Sequence, residues 1–349
     1  MPSIFDYVRT AFSEGATDLI LAEDHPPRVR INGEIVSFES HSLTHDEVAL
    51  FWKEVGADPD SDQEKDVGWT AEDGSRLRVN LFKCLGALCA VLRPIKRDVP
   101  DFQQLGLPSQ LLMSWLSRRS GLIIVSGPTG CGKSTSVASC LDWINHHHRR
   151  HIVTIEDPVE YLFENDLSHF SQREVGPDTA TFSGALRAAL RQSPDIIFLG
   201  EIRDEDTALI ALRAAETGHL VLATLHSPGV AESLERLGNL YSTNHRDASL
   251  QLLSNHLIGI LSQRLLPTTD GGLHLVVEHL ENEAAVRGWI RERQHAEIRD
   301  MLQRSDSPGN LSFLHSLCQA VFDGRIHPAT ARAAAPNPLD LDRALRGIV

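Results

Sequence analysis

The sequence predicts an α/β protein of two domains, the second of which is built on a mostly parallel sheet. From about Leu111 onward, short apolar runs rich in β-branched residues alternate with stretches of helical periodicity. This alternation is typical of parallel strands covered by helices on both faces. One strand–helix junction also contains a glycine-rich loop. The length of 349 residues exceeds what one ordinary core accommodates and suits about two domains.

The composition predicts a soluble cytoplasmic protein. Hydrophobic residues make up 42% and charged residues 23%, which is usual for a globular chain. The formal net charge of −14 disfavours a surface that follows nucleic-acid phosphates. No apolar run reaches the roughly 20 residues that span a bilayer, and the first residues lack a signal peptide's apolar core. Five cysteines without a C-x-x-C pair fit reduced thiols and show no zinc-site pattern.

Residues 1–98 predict a small α/β domain. Helical periodicity opens it, and strands are expected at TDLILAE, PRVRI and EIVSF. The last two strands are separated by Asn32-Gly33, a dipeptide that favours a hairpin turn. A helix is expected from about Thr44 to Val55, followed by two strands between Ser75 and Pro94.

Residues 99–112, which are rich in proline and glycine, predict a linker, and residues 113–349 predict the second domain. Strands of the second domain are expected at HIVTIED, DIIFLGE and HLVLATLH, with helices between them. After Val230 the chain is expected to be mainly helical. The Ala/Pro-rich segment near residue 335 predicts a poorly ordered tail.

The glycine-rich loop, GPTGCGKST, fits the phosphate-binding pattern G-x-x-x-x-G-K-[ST] and lies between an apolar run and a helical stretch. Its glycines let successive N–H groups turn toward phosphate oxygens, and the helix adds the positive end of its dipole. Lys133 is expected to reach the β- and γ-phosphates, and the Ser134 hydroxyl to complete a Mg²⁺ site. The residues expected to bind nucleotide are Gly127, Pro128, Thr129, Gly130, Cys131, Gly132, Lys133, Ser134 and Thr135.

Three carboxylates, Glu156, Asp157 and Glu160, follow the predicted strand HIVTIED. Such a group just beyond a buried strand is costly without a nearby cation. Phosphate-bound Mg²⁺ is the natural cation, because we expect this strand to lie beside the phosphate loop. The alternative is a solvated acidic turn.

The next predicted strand, DIIFLGE, delivers Glu201 to its carboxyl end, where ligands of open α/β sheets bind. Many P-loop proteins carry a metal-binding aspartate there, whereas this chain has Gly200-Glu201. Glu201 is therefore the candidate for polarising an attacking water. Arg203 and Asp204 are expected to form an ion pair and a helix cap.

Two groups of histidines remain. His226 ends the strand HLVLATLH, where it either hydrogen-bonds a γ-phosphate or is purely structural. The run from Asn145 to Arg150 contains three histidines. We expect this run to place positive charge at a helix C-terminus rather than to bind metal.

The order of these motifs resembles the secretion ATPase superfamily, and within it the PilT-type twitching-motility ATPases. The loop, TIEDPVEY, DIIFLGEIRDEDT and AAETGHLVLATLHS are similar to the family's Walker A, Asp box, Walker B and His box. The resemblance covers nearly the whole chain. Its opening DLILAEDHPPRVRINGE resembles the family's first strand–turn–strand, with Ile20 in place of a histidine. AAVRGWIRE is similar to the AIRNLIRE motif linked to pilus retraction, with Gly288 and Trp289 replacing Asn and Leu.

The resemblance implies a PAS-like N-terminal domain, a RecA-like C-terminal ATPase domain and assembly as a homohexamer. ATP and Mg²⁺ are the implied ligands, Glu156 and Glu160 supporting the metal. Arg78 and Arg93 match the family's arginines that reach the nucleotide. The implied function is an ATP-driven motor, most similar to those that retract type IV pili. Its implied partner is an inner-membrane platform protein, through which the motor associates peripherally with the cytoplasmic face of that membrane; no direct nucleic-acid partner is expected.

Three alternatives remain open at this point. The same fold serves DotB-like ATPases of type IVB secretion or conjugation systems. RecA-like rings also drive nucleic-acid motors, although the net acidity and the lack of aromatic–basic interleaving disfavour one here. A catalytically idle regulatory partner is disfavoured by the intact set of Lys133, Glu201 and His226.

Overall fold

The chain forms two separately packed units in a computed structural model, which describes residues 3–31, 33–71, 73–304, 307 and 309–347. The first unit comprises residues 1–97 and 158–162, and the second comprises residues 98–157 and 163–349. Each unit has its own sheet and hydrophobic core. The α/β fold class predicted from the sequence is confirmed.

The first unit is an antiparallel sheet with two helices. Its six strands lie in the order β3-β2-β1-β6-β5-β4, and every neighbouring pair is antiparallel. The elements are α1 (Ile4–Ser13), β1 (Asp18–Ala22), β2 (Arg28–Ile31), β3 (Glu34–Ser37), α2 (His45–Glu54), β4 (Glu64–Thr70), β5 (Arg76–Cys84) and β6 (Ala87–Pro94).

Both helices of this unit begin at capping boxes. The Ser3 and Thr44 hydroxyls each accept the backbone N–H three residues on, and the acidic side chain there reaches back to the cap. The apolar faces of the helices bury Tyr7 and Trp52 in a core shared with Leu19 of the sheet. The helices therefore cover the face of the sheet that carries its apolar side chains.

The sequence predicts the hairpin of this sheet but not its edge strand β4. Strands β2 and β3 form the predicted hairpin, with Ile31 opposite Glu34 and Gly33 at φ +85°; Asn32 lies outside the described residues. Strand β4 was missed. Its sequence EKDVGWT lies at the sheet edge and is mostly exposed or half-buried, so it lacks the apolar alternation that predicts a strand.

The second unit has an eight-stranded sheet in the order β14-β13-β12-β7-β11-β10-β8-β9. The six strands from β12 to β9 in that order are parallel, as predicted. The elements are α3 (Phe102–Leu105), α4 (Ser109–Leu116), β7 (Gly121–Ser126), α5 (Lys133–His147), β8 (His151–Glu156), β9 (His169–Glu174), α6 (Phe182–Ala189), β10 (Ile196–Leu199), α7 (Glu205–Glu216), β11 (Leu220–Leu225), α8 (Val230–Leu240), α9 (Arg246–His256), β12 (Leu257–Pro267), β13 (Leu273–Glu281), α10 (Ala284–Glu292), α11 (His295–Arg304), β14 (Asn310–Leu311), α12 (Phe313–Phe322), α13 (Pro328–Ala334) and α14 (Pro338–Leu345).

Helices cover both faces of the parallel sheet. Strand β7 sends Leu122 and Ile124 into one core, with helices α6 to α11, and Ile123 and Val125 into the other, with helices α3 to α5. Because successive side chains of a strand point to opposite faces, a strand buried on both faces reads as a continuous apolar run. This explains why GLIIVS was recognisable from sequence.

The segment 99–112, predicted as a linker, contains α3 and the start of α4. Helix α3 begins at a capping box on Asp101 and ends at Gly106 in the left-handed conformation, φ +69°. Phe102, Leu107 and Leu112 of this segment are buried in the core of the second unit. The domain boundaries at residues 98 and 112 remain a prediction.

The expectation that the chain is mainly helical after Val230 was wrong in one place. Strands β12 and β13 form a long antiparallel hairpin, with Gly259 opposite Glu281 and Pro267 opposite Leu273. The poorly ordered tail was also wrong, because α13 and α14 bury Ala331 and Leu341 in a core with α12. No helix in the part of the chain that the structure describes is long and apolar enough to cross a membrane.

Candidate functional site

The glycine loop is held in a conformation that only glycine adopts easily. Gly127, Gly130 and Gly132 have φ values of +146°, +79° and +86°. At Gly127 a side chain would also collide with the Gln263 carbonyl oxygen and with Cys131 Sγ. The loop connects β7 to α5, so it ends at the positive end of the helix dipole.

Lys133 lies at the base of this loop. The side chain is buried, and its Nζ donates hydrogen bonds to the carbonyl oxygens of Gly127 and Pro128, both at 3.0 Å. The ammonium is therefore fixed against the backbone of the loop whose N–H groups we expect to bind phosphate. Burial raises the pKa of the neighbouring Cys131 thiol, which disfavours the reactive thiolate.

The strand order places four strand ends in a row: β7, β11, β10 and β8. The phosphate loop follows β7, His226 follows β11, Glu201 follows β10, and Asp157 follows β8. The expectation that β8 lies beside the phosphate loop was wrong. Strands β11 and β10 intervene, which puts β8 about 14 Å from β7 at the usual spacing of parallel strands.

Contacts connect the first three members of this row. Thr129 Oγ1 of the loop lies 3.3 Å from His226 Nδ1, and His226 Nε2 lies 3.7 Å from Glu201 Oε2. Burial lowers the pKa of His226, the Lys133 charge lowers it further, and Glu201 opposes the shift. The imidazole is therefore neutral at neutral pH and acts as a hydrogen-bonding group rather than a cation.

Arg203 connects Glu201 to the last member of the row. Its Nε donates to Glu201 Oε2 at 2.6 Å, and its Nη1 lies 3.5 Å from Asp157 Oδ2. The hydrogen bond to Glu201 raises the pKa of Arg203 above its usual value. Asp204 caps α7 by accepting the Thr207 N–H at 2.7 Å. The predicted ion pair and helix cap are both confirmed.

Arg236 contacts the same row and was missed by sequence reasoning. From α8, its Nη1 donates to the His226 carbonyl oxygen at 2.9 Å, and its Nη2 lies 4.0 Å from Glu201 Oε1. No motif marks this arginine, since it reaches the row only because α8 folds back and brings Arg236 to the backbone of His226. A single basic residue on an amphipathic helix is common, so its type and position alone do not indicate a role in the site.

The remaining acidic candidates lie in different environments. Glu156 is buried at the end of β8, and Asp157 is exposed next to it. Glu160 belongs to the first unit, where its carbonyl oxygen accepts the Lys96 N–H at 3.3 Å. No group of three or more His, Cys, Asp or Glu side chains that could hold a metal occurs among the described residues.

Arg78 and Arg93 also belong to the first unit, opposite each other on β5 and β6. They share the sheet face that α1 and α2 leave uncovered, because Leu77, Val79 and Leu92 point into the core. Arg93 Nε donates to Asp18 Oδ1 at 2.9 Å, yet its side chain remains 64% exposed. Arg78 lies 3.6 Å from Asp66.

The histidine run ends α5, as predicted. His146 Nδ1 lies 2.9 Å from the Asp142 carbonyl oxygen, and His147 Nδ1 lies 2.7 Å from that of Trp143. Both histidines thus add a side-chain contact to a backbone carbonyl near the C-terminal end of the helix.

A phosphate loop set between a strand and a helix of a parallel sheet makes the second unit a P-loop nucleotide-binding fold. The family described as "Type II/IV secretion system protein" matches residues 65–299. The chain belongs to this family.

Similarity to individual proteins extends over nearly the whole chain. The type IV pilus retraction ATPase PilT of Pseudomonas aeruginosa is 36% identical over 335 residues, which cover 94% of this chain and 97% of PilT. The uncharacterized protein YggR of Escherichia coli is 35% identical over 329 residues, covering 92% of this chain and 99% of YggR. A crystal structure of the pilus retraction motor PilT with bound ADP superposes with a TM-score of 0.91 at 38% identity, covering 98% of this chain and 100% of that one.

Proposed function

We propose that this chain is a hexameric, Mg²⁺-dependent ATPase that powers type IV pilus retraction. The observation that carries the proposal is the row of contacts from the phosphate loop through His226 to Glu201. Nearly full-length similarity to PilT, and to a PilT structure holding ADP, supports the nucleotide and the process.

ATP fits the loop as its substrate. Glycines at positive φ leave the backbone open to close approach by phosphate, and Lys133 places one positive charge beside the backbone of Gly127 and Pro128. All nine residues from Gly127 to Thr135 contribute in this proposal. An anion that displaces the two carbonyl groups from Lys133 Nζ gains a charge-assisted hydrogen bond.

Mg²⁺ also fits, as a cation held chiefly by phosphate oxygens and water. Such a site needs only one or two protein ligands, so it does not require a cluster of carboxylates. The Ser134 hydroxyl would bind it directly. Glu156 and Asp157, which strands β11 and β10 separate from the loop, would support it only through intervening water. The ion would neutralise charge on the phosphates.

Glu201 is the proposed group that orients the attacking water and accepts its proton. Its side chain is only 12% exposed, and two arginines contact its carboxylate. Arg203 holds Oε2, and Arg236 approaches Oε1. The neutral His226, between Glu201 and the loop, is suited to sense a γ-phosphate through a hydrogen bond.

The first unit supplies the other proposed residues. Arg78 and Arg93 would neutralise charge that develops during phosphoryl transfer, and Glu160 would support the metal. We propose that residues 1–98 form the PAS-like domain, 99–112 the connection and 113–349 the RecA-like domain. Six copies would form the ring, which would act at the cytoplasmic face of the inner membrane through a platform protein.

The biochemical test compares Glu201→Gln with wild type in ATP hydrolysis. We expect turnover to fall by about 10²–10⁴ while ADP binding persists, because the variant keeps the loop and Lys133. The variant Lys133→Ala should lose both turnover and ADP binding. Glu216→Gln, on the exposed end of α7, is the matched control. Undiminished hydrolysis by Glu201→Gln would remove Glu201 from the proposed site.

The cellular test deletes the gene and follows fluorescently labelled pili. Retraction should stop and return with the wild-type gene but not with Glu201→Gln. Normal retraction in the deletion strain, accompanied by a defect in secretion or DNA transfer, would instead assign the motor to a DotB-like system. The molar mass of the purified protein in the presence of ADP tests whether six copies assemble.

A further inference from the structure

Strand β12 lies directly against the strand that leads into the phosphate loop. It pairs in parallel with β7, with Ser262 opposite Ser126, and the Ser126 hydroxyl donates to that of Ser262 at 3.0 Å. The next residue, Gln263, is fully buried. Its polar side chain lies near the centre of β12, between Ser262 and Arg264.

The Gln263 side chain binds the backbone of the loop. Its Nε2 donates to the Cys131 carbonyl oxygen at 2.7 Å. The assignment of nitrogen rather than oxygen to this contact follows from chemistry, since a carbonyl oxygen can only accept a hydrogen bond. One buried amide therefore reaches from β12 into the loop.

Two loop glycines pack against the same residue. A Cβ at Gly132 would lie 3.4 Å from Gln263 Nε2, and one at Gly127 would collide with the Gln263 carbonyl oxygen. Gln263 thus supports the loop with both its side chain and its backbone.

The hydrogen bond constrains a group that faces phosphate in the proposed site. In a trans peptide the C=O and the following N–H point in opposite directions. Holding the Cys131 carbonyl toward β12 therefore directs the Gly132 N–H away from β12. Without this bond the Cys131–Gly132 peptide has greater freedom to rotate, because Gly132 on one side of it accepts a wide range of φ.

Stability alone does not account for a glutamine here. Among the described residues, Gln263 Oε1 is buried without a hydrogen-bond partner. A buried acceptor without a partner destabilises the fold, whereas an apolar side chain of similar volume does not carry that penalty. The amide is thus better suited to hold the loop than to stabilise the core.

We propose that Gln263 is a positioning residue for the phosphate loop, fixing the Cys131–Gly132 peptide in the orientation that binds nucleotide phosphates. The inference rests on the nucleotide binding of the proposed function and is independent of pilus retraction. Gln263 acts through the loop backbone.

The test replaces Gln263 by methionine, which has similar volume and no amide, in the full chain. We expect the Kd for a fluorescent ADP analogue to rise about tenfold, the effect of one lost hydrogen bond. The melting temperature without nucleotide should stay close to wild type, because the change also removes the unpartnered Oε1. Gln319→Met, on the exposed face of α12, is the control and should bind ADP normally.

Gln263→Glu provides a second variant that tests the hydrogen bond itself. Its carboxylate would repel the Cys131 carbonyl, whereas the protonated form donates an O–H bond. Burial favours protonation, so ADP affinity of this variant should recover as the pH falls from about 8 to about 6, more than in wild type. Wild-type ADP affinity in Gln263→Met, or no recovery in Gln263→Glu, would overturn the inference. Failure of the wild-type chain to bind ADP would instead overturn the proposed function.

Discussion

Single residues of the phosphate loop show how backbone geometry restricts the choice of amino acid. Gly130, at φ +79°, lies close to the left-handed helical region, where a side chain is strained by about 1–2 kcal/mol, and Gly127, at φ +146°, lies where essentially only glycine is found. Only at Gly127 does a side chain also meet fixed backbone, the Gln263 carbonyl. The motif pattern marks Gly127 but gives no hint of what lies against it.

This difference predicts unequal effects of two alanine substitutions. Gly127→Ala should reduce ADP affinity by at least about 100-fold or prevent folding, because the loop must move off β12. Gly130→Ala is the comparison within the loop: a Cβ there meets no described atom within 4 Å, so it should lower the melting temperature by only about 2–4 °C and reduce ADP affinity less than Gly127→Ala does. Titration with ADP and thermal unfolding measure both effects, and equal affinities of the two variants would contradict the argument.

At the scale of elements, α8 is anchored at the end that follows His226. Its N-cap residue, Gly229, has no side chain to cap the helix. Glu278 of β13 takes this role by accepting the Val230 N–H at 2.7 Å, and it also accepts the Phe313 N–H of α12 at 3.4 Å. One carboxylate thus stabilises the first turns of two helices. The Arg264 guanidinium adds a bond to the Pro228 carbonyl at 2.9 Å.

Glu278 predicts a pH dependence of stability. Burial raises the pKa of its carboxyl above the ordinary 4.5. The two N–H bonds oppose this shift, the Glu232 charge adds to it, and the Arg264 charge opposes it. A group whose pKa is raised on folding contributes stability below its unfolded pKa and loses that contribution as the pH rises through its folded pKa. The substitution Glu278→Gln removes this titration, because an amide stays neutral throughout the range.

The unfolding free energy of Glu278→Gln relative to wild type should therefore increase as the pH rises from about 4.5. Urea unfolding of both proteins at several pH values above about 4.5 measures the difference between their unfolding free energies. Taking this difference cancels the titration of the other carboxyl groups. A difference that stays constant or falls with pH would show that the two N–H bonds outweigh burial.

At the scale of the whole molecule, the residues proposed for hydrolysis are distributed over two units that pack separately. Arg78 and Arg93 lie in the first unit, on the sheet face opposite α1 and α2, and the phosphate loop lies in the second unit. Neither unit contains the complete set of proposed residues. Hydrolysis should therefore require both units.

Arg78→Ala and Arg93→Ala are expected to lower turnover by up to the order of 10³, as for an arginine that neutralises transition-state charge. ADP affinity should change far less. The control is Arg9→Ala on α1, whose side chain is 70% exposed and pairs with Asp6. Steady-state ATP hydrolysis separates these cases, and wild-type turnover in both variants would exclude the arginines from the reaction.

Much of the fold was predictable because its signals are local. Each of these signals lies within a few consecutive residues. They include the capping boxes at Ser3 and Thr44, the apolar run before Gly127 and the apolar pattern of each parallel strand. The missed elements lack such signals: β4 is polar, and β12, with its alternating faces both buried, is indistinguishable from an apolar helix by composition alone.

By itself, the sequence determined the α/β class, the phosphate loop and the residues at each strand end, because these depend on short-range patterns of side chains and glycine. Tertiary structure alone decided which ends are neighbours. Strand order depends on pairing between distant segments, so β11 rather than β8 lies beside β7. The same long-range packing brings Arg236 to His226 and Gln263 to Cys131, contacts between residues that no local pattern connects.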